Sequence, residues 1–139
     1  MLTIERVTVL KSLEIFRRIP DHDLEGVANI VKELEVPAGT DIIREGEMGE
    51  SLFIIVEGRA RVHFQNKDVG VLGSGSVFGE LAALDYEPRS ASVTAMTETF
   101  LLELDGAALR QLMAERQGVT REVIHILCQR IRAGLPKEN

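Results

Sequence analysis

Hydrophobic positions along this 139-residue chain change their spacing twice, from helical to strand-like and back. In residues 3–13, Ile4, Val7 and Leu10 recur every three positions and predict a short amphipathic helix. Pro20-Asp21 reads as a second helix start, with Leu24, Val27, Ala28 and Val31 on one apolar face and an end expected near Glu33. From Leu34 the period is that of a strand, and Pro37-Ala38-Gly39 marks a turn before a short strand at Asp41-Ile42-Ile43. Gly46 and Gly49 bracket a tight acidic loop. Residues 52–56 are an almost unbroken apolar strand, Glu57-Gly58 a hairpin turn, and residues 59–64 alternate polar with apolar. Asn66-Lys67-Asp68 predicts a further turn, after which Val69, Val71 and Leu72 lead to Gly73 and Gly75. Residues 90–95 and 99–104 form a second hairpin pattern closed by Met96-Thr97-Glu98. Asp105 caps a return to helix, with Leu109, Leu112 and Met113 on one side and Gly118 as its break. A last helix is expected over about 119–133, with Val123, Leu127 and Ile131 in register and Gly134 and Pro136 as its stop.

Short strands at this turn spacing predict an antiparallel sandwich or barrel rather than a parallel sheet, with helices before and after it. The fold expected is mainly β, an eight-stranded roll with flanking helices. Its length suits one domain covering 1–139, divided as 1–33 helical, 34–104 β-roll and 105–134 helical.

The stretch 73–93, GSGSVFGELAALDYEPRSASV, carries the chemistry. Gly79-Glu80 opens a short helix at 81–84, and Arg89 arrives on the returning Pro88-Arg89-Ser90 loop. Backbone N–H groups, a carboxylate and a guanidinium brought together in this order describe a site for a phosphate that also carries hydroxyls.

Composition narrows the partners. Sixteen basic against 22 acidic residues leave a net charge of −6, which argues against nucleic acid as a partner. No apolar run is long enough to cross a bilayer, and the N-terminus lacks the separate regions of a signal peptide, so neither membrane insertion nor export is expected. The single Cys128 fits a reducing compartment and core packing. His22, His63 and His125 have no metal-ligand spacing, and no metal site is expected. There is no P-loop, kinase motif or nucleophile–histidine arrangement, so binding without turnover is the expectation.

FGELAAL followed by PRSASV, together with EGEMGESLFIIVEG and the paired Gly73 and Gly75, is similar to the cyclic-nucleotide-binding domain of catabolite-activator-like regulators, cyclic-nucleotide-dependent kinases and ion channels. The resemblance covers nearly the whole chain. It implies a jelly-roll (double-stranded β-helix) with a phosphate-binding cassette at 78–92. By matching positions, Glu80 would accept from the ribose 2′-hydroxyl and Arg89 would hold the cyclic phosphate. Gly79, Leu81 and Ala82 would offer backbone contacts, and Ser90 and Ala91 would complete the phosphate nest. The base would rest on Val62 and Leu72 under the final helix, capped by Arg130, Ile131 or Leu135. The ligand implied is cAMP, with cGMP second because the hydroxyl of Ser90 suits either. With few residues after Ala133, no helix-turn-helix is expected in this stretch. The function implied is a cytoplasmic sensor, or a module on the cytosolic face of a membrane protein, that couples cyclic nucleotide to movement of the C-terminal helix. An effector domain such as a transporter or channel would be covalently attached, and the oligomeric state expected is a monomer or weak homodimer. The alternative is a structural or protein-interaction module on the same fold that binds no nucleotide.

Overall fold

The computed structural model describes residues 1–13 and 16–134, apart from the side chain of Leu81. Its elements run α1 (Thr3–Ser12), α2 (Asp21–Ile30), β1 (Lys32–Val36), β2 (Asp41–Ile43), β3 (Leu52–Glu57), β4 (Ala60–Phe64), β5 (Lys67–Leu72), β6 (Val77–Phe78), α3 (Glu80–Asp85), β7 (Ser92–Ala95), β8 (Thr99–Leu104), α4 (Gly106–Glu115) and α5 (Gln117–Gly134). By contacts the chain forms two compact units, Ile30–Arg110 and Met1–Asn29 with Gln111–Asn139.

The first unit holds all eight strands in two four-stranded sheets, ordered β1-β8-β3-β6 and β2-β7-β4-β5. Every pairing is antiparallel. This is the expected roll. Strand β3 is buried along most of its length, which is why residues 52–56 are apolar without alternation. Phe53, Ile55, Ala60, Phe78, Val93 and Leu101 form the interior cluster, with Val36, Ile42, Val62 and Leu72 packed against it. Burying these side chains contributes on the order of 1.5–3 kcal/mol each before the entropy of ordering them is counted.

Three expected boundaries move. Helix α2 ends at Ile30 and β1 opens at Lys32, so residues 31–33 are not helical. The ladder wins because Lys32 and Glu33 pair with Glu103 and Leu102. The turn placed at 66–68 lies one residue earlier: Gln65 and Asn66 take φ of 50° and 65°, and Lys67 already pairs with Phe64. The strand expected from Ser90 begins at Ser92.

In the second unit, α2 starts behind Pro20, whose carbonyl accepts from the N–H groups of Asp23 and Leu24. Its buried apolar residues include Leu10, Ile19, Leu24, Val27, Leu112 and Val119. Arg116 donates from Nη1 to the His22 carbonyl oxygen at 2.8 Å and lies 3.5 Å from the Asp23 carboxylate. The α4–α5 break falls at Arg116, and Gly118, expected to make it, sits inside α5. A Cβ there would lie 2.5 Å from Oδ2 of Asp23, so glycine serves close approach. Among the described residues no helix is long and apolar enough to cross a membrane.

Candidate functional site

The loop between α3 and β7 is held at both ends of Arg89. Its N–H donates to the Glu47 carbonyl at 2.9 Å, its own carbonyl accepts from the Gly46 N–H at 2.9 Å, and Pro88 bridges to Met48. The acidic loop bracketed by Gly46 and Gly49 therefore fixes the arginine's backbone. Buried Ser92 adds to the clamp by accepting from the Glu45 N–H at 2.9 Å.

From this anchor the Arg89 side chain runs into the roll and is only 8% exposed. Nη1 donates to the Gly79 carbonyl oxygen at 3.1 Å. The guanidinium carbon lies 6.0 Å from the centroid of the Phe53 ring, which stacks on Phe78 at 5.3 Å. Two glycines make room for it. A Cβ on Gly49 would come within 2.5 Å of Nε, and one on Gly79 within 2.7 Å of Nη1. Gly79 also takes φ of 80°, turning the chain from β6 into α3.

Helix α3 then opens on Glu80, which is 9% exposed. Gly79 and Ala82 carbonyls accept from Ala83 and Tyr86. Arg110 Nη1 donates to the Ala83 carbonyl at 2.6 Å, joining α3 to the first turns of α4.

Burial pushes the Arg89 guanidinium below its ordinary pKa, and the carboxylates of Glu103 and Glu80 oppose that shift. It stays a cation at neutral pH, because a guanidinium starts so far above it. A guanidinium carries five N–H donors. Among the described residues one of them is engaged, by Gly79. The result is an inward-facing cation with donors to spare beside a short helix start, which suits a small anion.

The expected residues fall in two groups. Gly79, Glu80, Ala82 and Arg89 share the corner just described, with the backbone of Leu81 in α3. Ala82 is buried, Ser90 is exposed and Ala91 half-buried. Val62 and Leu72 lie on β4 and β5 of the other sheet, where they pack on the cluster containing Phe53 and Phe78. Arg130 and Ile131 are exposed on α5, and Leu135 and Pro136 lie outside the described residues. Sequence reasoning missed Phe53 beneath the guanidinium and Glu103 on β8, because both depend on cross-strand register. Gly49 carried a signal as a loop glycine, although not its purpose.

Residues 33–116 match the family described as the cyclic nucleotide-binding domain. The chain belongs to that family. It is 27% identical over 129 residues to a CRP-like cAMP-activated global transcriptional regulator of Mycobacterium tuberculosis, covering 89% of this chain and 58% of the relative. It is 34% identical over 130 residues to a cyclic nucleotide-gated potassium channel of Rhizobium etli, covering 94% of this chain and 36% of the channel. The crystal structure of the N-terminal domain of a transcriptional regulator from Streptomyces coelicolor superposes with a TM-score of 0.76 at 26% identity, covering 90% and 91% of the two chains. The chain thus spans little more than half, or about a third, of these two relatives. As a cyclic nucleotide-binding domain it is a regulatory binding module and not an enzyme, in line with a regulator and a channel as its relatives. Among the described residues no group of three His, Cys, Asp or Glu side chains could hold a metal ion.

Proposed function

We propose that this domain binds cAMP reversibly and passes the binding event to its C-terminal helix. The observation that carries the reading is Arg89, a nearly buried cation with one side-chain hydrogen bond among the described residues, given room by two glycines. An anion seated there would satisfy donors that burial keeps from bulk water. In this reading Glu80, acceptor-only when ionised, would take the ribose 2′-hydroxyl, and the backbone of Gly79, Leu81 and Ala82 with Ser90 and Ala91 would take the phosphate. Val62 and Leu72 offer apolar surface for the base. cAMP is chosen over cGMP because the hydroxyl of Ser90 suits either, the sequence offers no dedicated guanine reader besides, and the M. tuberculosis relative is described as cAMP-activated. The domain acts as a monomer or weak dimer attached to an effector such as a channel or transporter.

Calorimetric titration with cAMP, cGMP and AMP tests this. Arg89→Ala is expected to weaken cAMP binding by roughly 2–5 kcal/mol, the cost of removing one partner from a buried charged contact. Glu80→Ala should weaken it less. Wild-type affinity in Arg89→Ala refutes the phosphate assignment. The rival reading, a module that binds a protein and no nucleotide, rests on Ile124 and Ile131 standing exposed on α5, and it predicts no heat with any nucleotide.

A further inference from the structure

We propose that Glu103 is a counter-charge to Arg89 that holds anion affinity down and favours a singly charged cyclic phosphate over a doubly charged monoester. The ligand side of this inference rests on the binding reading above. The charge pairing does not.

The placement follows from register. Glu103 on β8 stands directly opposite Phe53 on β3 and Lys32 on β1, and Phe53 stands opposite Phe78 on β6. Residues directly opposite in an antiparallel ladder project from the same face. Lys32, Glu103, Phe53 and Phe78 therefore make one row across the four-stranded sheet. Two positions along, the next such pair is Leu101 and Ile55, and both belong to the interior cluster. The row thus lies on the interior face, with exposed Lys32 at its outer end and half-buried Glu103 next to it. The Phe53 ring that follows carries the Arg89 guanidinium above it. Glu103 is thus the cross-strand neighbour of the residue whose ring the guanidinium overlies.

A half-buried strand position on the interior face is an unfavourable place for a carboxylate unless a cation compensates it. Arg89 is the cation that the row brings near. Among the charges that oppose the effect of burial on the guanidinium, Glu103 ranks ahead of Glu80, its nearer neighbour in sequence. In the ligand-free protein this pairing lowers the cost of burying Arg89. Once a phosphate sits on the arginine, the same carboxylate repels it, and the repulsion grows with the ligand's charge. A cyclic phosphodiester carries one negative charge, whereas a phosphate monoester carries about −1.5 to −2 at pH 7. Glu103 and Glu80 together leave the corner tolerant of the first and hostile to the second. Lys32, opposite Glu103 on its other side, is placed to share the carboxylate when an anion draws the arginine away.

Two measurements on the whole chain test this. In calorimetry at low salt, Glu103→Gln should tighten cAMP binding by about threefold to tenfold, the size expected for one partly screened charge at several ångströms. It should tighten AMP binding by more, narrowing the ratio between the two ligands. Glu35→Gln, an exposed carboxylate on β1, controls for the change in net charge and should leave both affinities within about twofold. The second measurement needs no ligand. A double-mutant cycle with Glu103→Gln and Arg89→Leu, followed by urea midpoint, should show that Glu103→Gln lowers the midpoint only while Arg89 is present. A cycle with no coupling overturns the pairing, whether or not nucleotide binds. Coupling together with unchanged or weaker cAMP affinity in Glu103→Gln overturns the role in affinity. A wild-type protein that gives no heat with any nucleotide defeats the functional proposal instead, and leaves the cycle to decide the pairing.

Discussion

Tyr86 ends α3 with φ 58° and ψ 45°, in the left-handed region that costs a side chain with a Cβ on the order of 1–2 kcal/mol. The residue is 53% exposed, so burial returns little of that cost. Tyr86→Gly should therefore raise stability by about 1 kcal/mol, the strain relieved less the extra freedom of glycine in the unfolded chain. Urea denaturation checks it, and a lower midpoint would mean that the tyrosine makes contacts worth more than its backbone strain. The position also shows what could be read at the scale of single residues. Arg89 and Glu80 were legible because a guanidinium and a carboxylate in a glycine-punctuated loop have few other reasons to be there. The αL conformation of Tyr86 was not, since no glycine or asparagine announces it. Glu103 looked like any strand glutamate until its register with Phe53 was known.

Elements are joined by polar contacts that the apolar pattern does not reveal. Thr94 on β7 donates from Oγ1 to Oδ1 of Asp41 on β2 at 2.8 Å, and His63 Nε2 on β4 lies 2.8 Å from the same hydroxyl. The hydroxyl has one proton, given to Asp41, so Nε2 of His63 is the donor. Three strands of one sheet are thereby tied through one threonine. The bond from Thr94 is the largest influence lowering the Asp41 pKa below 3.8; burial opposes it, and Arg44 and His63 add to it. A depressed carboxylate pKa contributes stability that is present above the unfolded value and lost as pH falls through the folded value. The wild type should thus exceed Asp41→Asn in urea midpoint by a constant margin near neutral pH. That margin should close below about pH 4. A gap that persists undiminished at pH 3 would show that the carboxylate's charge is not what matters. Element boundaries failed in the sequence where such tertiary partners decide them. Lys32 and Glu33 continue an apolar helical pattern yet pair with β8, and Gly118 looked like a helix break because its approach to Asp23 is invisible along the chain.

At the scale of the whole molecule, strand spacing was enough to predict an eight-stranded roll between helices. It could not order the sheets. Placing β8 between β1 and β3 is a choice among distant partners, made by which apolar faces close on one another. The coupling proposed from the site to the last helix would depend on partners equally distant in sequence. Helix α3 is bonded to α4 through Arg110 and Ala83, and Gly106 at the start of α4 packs against the backbones of Ala83 and Glu50. Within the helical unit, Arg116 holds the start of α2 through the carbonyl of His22. A phosphate drawn to Arg89, as proposed, would act on α3 first, through the Gly79 carbonyl that the arginine already holds. Such a ligand can shift the protein between two arrangements only by its difference in affinity for them, on the order of 1–3 kcal/mol. Saturating cAMP should accordingly change amide exchange in residues 117–134 by about five- to 150-fold, and Arg89→Ala should abolish the change at the same ligand concentration. Exchange followed with and without cAMP in both proteins decides the point. Clear binding with α5 exchange unaltered would leave a cyclic-nucleotide sensor whose signal leaves by some other element.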